Sequence, residues 1–215
     1  EKYDIEFIAN KDIDLKYLQN WYGNSSNSFK IKIIKLPIFE KYKMEEINQS
    51  IIHSTSFNDF DLVSEESQFY DIFVNVNMLV KVKPLSGISV FLCHFPDTLA
   101  LDYFYANEHS YFIANSEYTC YWLKERWGKI ANAILYPPVD YYSPKLKKEN
   151  IILSVGRFVS NGAKKQIEMI GQFKKMYDQF PEIMKDWKYY LIGGTSNNNK
   201  YFEKAIKELK DRKYP

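Results

Sequence analysis

The run Ser154-Val155-Gly156-Arg157-Phe158, followed after a loop containing Gly162 by Lys164-Lys165-Gln166, combines residue types that suit an anion. Gly156 lets the backbone turn sharply. Arg157 can present a forked guanidinium to two phosphate oxygens, and Lys164 adds a point charge from the opposite lip of the loop. Together they could neutralise a diphosphate, although the same two cations also read as solvated loop charges. Arginine occurs only as Arg126, Arg157 and Arg212 in this lysine-dominated chain, so its use at a strand end stands out. Gly193-Gly194 closes the next apolar run. Missing side chains there admit the close approach of a nucleotide or simply mark a strand-to-loop turn. In Cys93-His94-Phe95-Pro96-Asp97, His94 ends another apolar run. A histidine at a strand end can bond a substrate hydroxyl or carry a proton, while a lone histidine is also a common structural residue.

Other chemistries lack their residues. A zinc site would need Cys93, His94, His109 and Cys120 to converge, but their spacing matches no standard ligand pattern. There is no G-x-S-x-G elbow, no G-x-x-x-x-G-K-[ST] loop and no G-x-G-x-x-G fingerprint. A net charge of +2, from 29 Lys+Arg against 27 Asp+Glu, gives no surplus of the kind that drives nucleic-acid binding. Cys93 and Cys120 both lie in apolar stretches and read as free thiols of a reducing compartment. No run approaches the roughly 18 apolar residues of a membrane span, and the charged start Glu1-Lys2-Tyr3-Asp4 is not a signal peptide. The expected location is cytoplasmic.

The elements that must position these residues follow from the hydrophobic pattern. Short apolar runs at Tyr3 to Ala9, Lys30 to Leu36, Tyr70 to Val76, Ile88 to Phe95, Tyr111 to Ala114 and Asn132 to Tyr136 read as strands. Most are apolar at nearly every position, which suits strands covered by helices on both faces. Helices are expected at Leu15 to Trp21, Lys41 to Ile52 and Glu117 to Trp127, the last with Ser116 as N-cap and Gly128 as stop. The alternation implies a parallel, doubly wound sheet. Pro137-Pro138 stiffens a connector, dividing the chain into units 1–139 and 140–215. In the second unit, Asn150 to Val155 and Trp187 to Ile192 read as strands, and Lys164 to Phe180 and Lys200 to Asp211 as helices. Two strands and two helices are too few for an independent Rossmann-type lobe. Ligands of parallel sheets bind beyond the carboxyl ends of the strands, where helix N-termini offer free N–H groups, and this is where Gly156, Arg157 and Lys164 fall.

The blocks YDIFVNVN, VFLCHFP, YFIANSEYTCYWLKERWG, ILYPPVD, IILSVGRF, KKQIEMIGQFKKM and WKYYLIGG occur in this order along nearly the whole chain. In that order they resemble glycosyltransferase family four, the group-one glycosyl transferases, whose GT-B fold has two Rossmann-like lobes. The resemblance implies that Arg157 and Lys164 contact the donor diphosphate and stabilise the departing nucleoside diphosphate. Lys164, not Lys165, fills the family position by its distance from Phe173. His94 fits the N-lobe histidine near the donor sugar, and Pro137-Pro138-Val139-Asp140 the crossover between lobes. Such enzymes typically transfer with retention and without a bound metal or cofactor. The implied partners are a nucleotide-sugar donor and a glycan, lipid-linked or protein acceptor. Nucleic acid is not expected, and peripheral membrane contact is compatible with a lipid-linked acceptor. Departures also stand: the glycine-rich loop that opens the family's N-lobe and the E-x7-E segment of its C-lobe have no counterpart here, and the stretch from His94 to Asn115 is short. The sequence therefore reads as a family member shortened at both ends, both lobes incomplete. A non-catalytic nucleotide- or glycan-binding module on the same fold is the alternative, and a sugar-nucleotide epimerase a third reading.

Overall fold

The computed structural model describes residues 3–22, 29–42, 59–76, 82–96, 105–139, 147–195, 198–210 and 214. The chain forms two compact units, Glu1–Asp140 and Tyr141–Pro215. Both are mixed α/β with parallel sheets.

The first unit opens with strand β1 (Ile5–Ala9), helix α1 (Leu15–Tyr22) and strand β2 (Phe29–Ile33), the two strands pairing in parallel. A short helix α2 (Pro37–Lys41) and helix α3 (Asp61–Ser67) precede strand β3 (Ile72–Asn75). Strand β4 (Ile88–Cys93), a 3-10 turn (Ala106–Glu108), strand β5 (Tyr111–Ala114), helix α4 (Glu117–Trp127) and strand β6 (Ala133–Ile134) complete the unit. The four strands β3-β4-β5-β6 lie side by side in that order, all parallel. In the second unit, strands β7 (Ile151–Val155) and β8 (Lys188–Ile192) pair in parallel from Ile151 opposite Lys188 to Val155 opposite Ile192. Helices α5 (Gln166–Gln179), α6 (Pro181–Met184) and α7 (Lys200–Leu209) accompany them. Among the described residues no helix is long and apolar enough to cross a membrane.

Local chemistry accounts for the best-defined boundaries. Ser116 accepts the Thr119 N–H at 3.1 Å to cap α4, and Gly128 ends it in the left-handed conformation at φ 61°. Of the helix expected over Lys41 to Ile52, only Lys41 and Tyr42 are among the described residues, at the end of α2. Pro37 occupies the first turn of α2, where its missing N–H is harmless, and the extended Tyr42 stops that helix at Lys41. Residues 43–52 of the expected helix lie outside the described residues. Helix α5 begins at Gln166, later than the expected Lys164, because Lys165 adopts a left-handed φ of 59° and breaks the helical run before it starts.

The strands are covered on one face, not two. In β3, Phe73 and Asn75 are buried while Ile72 and Val74 are exposed; in β4, Ser89, Phe91 and Cys93 are buried and Ile88 is exposed. In the second unit Leu153, Val155, Tyr190 and Ile192 share a solvent-facing side, with Val155 74% exposed. Topology explains this correction. Each sheet adds strands in chain order, and right-handed connections that always step the same way lay their helices on the same face. A doubly wound sheet needs a reversal of direction, and none of the three sheets reverses among the described residues.

The first unit's covered side holds two clusters. Leu36, Ile38, Phe60, Phe73 and Val82 form one, and Phe91, Cys93, Ala106, Phe112, Leu123 and Trp127 the other. Burial pushes the Cys93 thiol up to about 12, so it stays protonated and inert. His109 borders the second cluster, edge-on to Phe91 with ring centroids 5.3 Å apart. Its Nδ1 lies 3.1 Å from the Tyr105 carbonyl. A carbonyl only accepts, so this nitrogen carries the proton. Its Nε2 is buried without a hydrogen-bond partner. Burial holds the His109 pKa below the ordinary histidine value, opposed by the Tyr105 carbonyl and by Glu108. Neutral His109 therefore contributes stability that is complete above the unfolded pKa of about 6.5 and is lost as pH falls from there through the lowered folded value. Urea midpoints should fall between pH 7 and pH 5 in the wild type and fall less in His109→Leu; parallel declines would remove His109 as the cause.

Candidate functional site

The loop from Gly156 to Lys165 leaves the carboxyl end of β7 and enters α5. It starts as a continuation of the β-ladder. The Gly156 N–H donates to the Ile192 carbonyl and the Phe158 N–H to the Gly194 carbonyl, each at 2.9 Å, and Phe158 bridges to Thr195. The two strand ends are pressed together at the glycines. A Cβ on Gly193 would sit 2.0 Å from the Gly156 oxygen, so Gly193 is required by its neighbour's backbone.

The second lip folds back over the first. The Lys164 Cγ and Cβ lie 3.8 and 3.9 Å from where a Gly156 Cβ would stand, so the Lys164 stem crosses Gly156. Arg157 and Lys164 are both exposed. Beneath them Gln166, 3% exposed, donates from Nε2 to the Gly156 carbonyl at 3.2 Å and to the Arg157 carbonyl at 3.0 Å. Asn199, also buried, donates to the Phe158 carbonyl at 2.7 Å while its Oδ1 accepts from Tyr201 and Phe202 to cap α7. The Tyr201 ring lies on Gly162, whose φ is +67°; a Cβ there would fall 2.7 Å from the ring. One asparagine and one tyrosine of α7 thus hold the loop against the sheet.

The start of α5 differs from the expected row of free amides. The Ile167 N–H donates to the Tyr201 hydroxyl at 3.1 Å. Glu168 bonds its own amide, which, helped by Lys165, holds its carboxyl below the usual range. The first turn of the helix therefore carries an anion of its own chain. A bound anion would be gripped mainly by the side chains of Arg157 and Lys164.

No known family model, curated protein or solved structure matches this chain. The site consists of two exposed cations on a glycine-containing strand-end loop braced from below by buried amides.

His94 belongs to the first unit, directly after β4, and its side chain is exposed. Its backbone is pinned: the Thr119 hydroxyl lies 3.1 Å from the His94 carbonyl and 2.6 Å from the Asn115 Oδ1, and the Asn115 N–H donates to the Cys93 carbonyl at 3.2 Å. The next residues are clamped from α4. Phe95 stacks on Tyr118, and the Arg126 guanidinium lies over both Phe95 and Trp122, 4.8 and 4.7 Å from their centroids. Arg126 also donates to the Pro96 carbonyl at 2.8 Å, which gives this arginine a structural task. Within the second unit, then, Gly156, Lys164 and Gly193 come together and Arg157 adjoins them; His94 is described by its own unit alone. Among the described residues no group of three His, Cys, Asp or Glu is arranged to hold a metal ion, and Cys93 and Cys120 are both free thiols.

Sequence reasoning gave no role of their own to Gln166, Asn199 and Tyr201. Asn199 had a local signal, an asparagine directly before the amphipathic helix expected from Lys200. The contacts of Gln166 and Tyr201 span loops that meet only in the folded unit.

Proposed function

We propose that this chain is a group-one glycosyltransferase with two Rossmann-like lobes of the GT-B type, moving a sugar from a nucleoside diphosphate to a glycan, lipid-linked or protein acceptor. The observation that carries the reading is the pairing of exposed Arg157 and Lys164 across Gly156 at the carboxyl end of β7, with the Lys164 stem packed on the glycine. In this role the two cations hold the donor diphosphate and take up the charge that develops as the anomeric carbon–oxygen bond breaks. Gly156 and Gly193 keep the floor low, and His94 is the residue the family resemblance assigns to the donor sugar. Transfer proceeds with retention, and the nucleotide sugar is substrate, not cofactor. The cytoplasm, with peripheral contact to a membrane for a lipid-linked acceptor, is the compartment this chemistry fits.

Calorimetry with UDP and GDP tests it. Arg157→Ala or Lys164→Ala should weaken binding by about 1 to 3 kcal/mol each, the range of charge-assisted hydrogen bonds. Unchanged affinity in both variants would sink the assignment. One observation favours a second reading, a binding module without turnover: Tyr201 and Glu168 already occupy the first amides of α5. Release of UDP or GDP from a panel of nucleotide sugars separates the two. Release that drops in His94→Ala supports the enzyme, and nucleotide binding without release supports the module.

A further inference from the structure

Gln166 combines three facts that do not fit a merely structural residue. It is 3% exposed, its Nε2 bridges two successive carbonyls, and its Oε1 is buried with no hydrogen-bond partner. Carbonyl oxygens only accept, so the pair fixes which end of the amide faces them. The Gly156 carbonyl belongs to the peptide plane before the Arg157 Cα, and the Arg157 carbonyl to the plane after it. Holding both planes sets φ and ψ of Arg157, and with them the direction in which its Cα–Cβ bond leaves the backbone. From the other side, the Phe158 N–H in the second of these planes is anchored on the Gly194 carbonyl.

The unpartnered oxygen makes the arrangement expensive. A buried acceptor left without a donor destabilises the fold and offsets part of what the two bonds from Nε2 contribute. The cost has a reason if the amide serves the loop's exposed cation.

We infer that Gln166 is a positioning residue for the anion grip, aiming Arg157 at the diphosphate of a nucleotide by orienting the two peptide planes that flank it. This rests on the diphosphate reading of the loop. It gives that site a buried support that composition and charge do not reveal.

Gln166→Met keeps the length and removes both the donors and the unpartnered oxygen. Its thermal midpoint should fall, because the Gly156 and Arg157 carbonyls lose their shared donor, and its affinity for UDP or GDP by calorimetry, measured well below that midpoint, should drop about tenfold. A residue that served folding alone would lower the midpoint and leave the affinity of the folded protein within twofold of the wild type's. The chain's three arginines offer a spectroscopic check, since the Arg157 Nε–H resonance can be assigned by its disappearance in Arg157→Lys. That resonance should shift on adding UDP to the wild type and stay still in Gln166→Met. If Gln166→Met does not fold, Gln166→Glu keeps the shape and, when ionised, likewise cannot donate to the carbonyls; its loss of affinity should be at least as large. Wild-type binding with a variant affinity within twofold overturns the inference and leaves the diphosphate reading intact. A wild type that binds neither nucleotide overturns both.

Discussion

Gly193→Ala should destabilise the second unit by about 3 kcal/mol or more, whereas Gly194→Ala, one residue on, should change stability by less than about 0.5 kcal/mol. The contrast comes from what each new methyl group meets. At 193 it lies 2.0 Å from the Gly156 oxygen, 2.7 Å from its carbonyl carbon and 3.3 Å from the Arg157 nitrogen, all backbone atoms that cannot swing aside. At 194 nothing stands within 4 Å. To admit the 193 methyl the strand ends must separate, straining the Gly156–Ile192 and Phe158–Gly194 hydrogen bonds that launch the loop. With about 4 to 8 °C per kcal/mol for a unit of this size, the midpoint should fall by roughly 10 °C or more. Nucleotide affinity should fall with it, because the loop that carries Arg157 starts from this contact. Equal melting of the two alanine variants would show that the strand ends are not pressed together.

Phe91→Ala should cost the first unit about 3 to 5 kcal/mol, the range for truncating a buried aromatic residue. Phe91 is 2% exposed and touches His109, Phe112 and Trp127 at centroid separations of 5.3, 5.9 and 5.8 Å. Three rings lose a partner at once, and the rigid strand beneath them cannot collapse into the gap. Against a total stability of about 5 to 15 kcal/mol such a loss is large. Urea unfolding followed by near-ultraviolet dichroism gives the number, with the exposed Tyr121→Ala as a control expected within about 0.5 kcal/mol of wild type. A Phe91→Ala loss under 1 kcal/mol would mean that the cluster is loosely packed.

Where the code is local, the sequence was readable. Helix α4 runs from Glu117 to Trp127 as its serine cap and glycine stop dictate, and β5 has the expected bounds. Arg157 and Lys164 could be picked out because charge at a strand end needs no knowledge of the rest. The start of α5 was less readable, since Lys165 takes a left-handed φ without being a glycine. The covered face of each sheet was misread for a different reason. A strand apolar on both sides does not say which side is packed; that depends on the direction in which the sheet is wound, which only the pairing order reveals. Gly193 was noticed, yet its obligatory neighbour lies 37 positions earlier in the chain, at Gly156. Gln166 was noticed only as part of the helix start, because a polar residue there normally faces water.

The solvent-facing apolar sides of the sheets bear on how this protein is handled at the bench. Dyes such as anilinonaphthalene sulfonate light up on accessible apolar surface and are commonly taken to report a loosened, partly melted state. Here Ile72, Val74, Leu153, Val155 and Ile192 offer that surface in the intact fold. A bright dye signal before heating is therefore the native baseline. Scanning fluorimetry with such dyes will lack the usual dark starting plateau, and intrinsic tryptophan fluorescence, anchored by the buried Trp127, is the better thermometer for ranking variants.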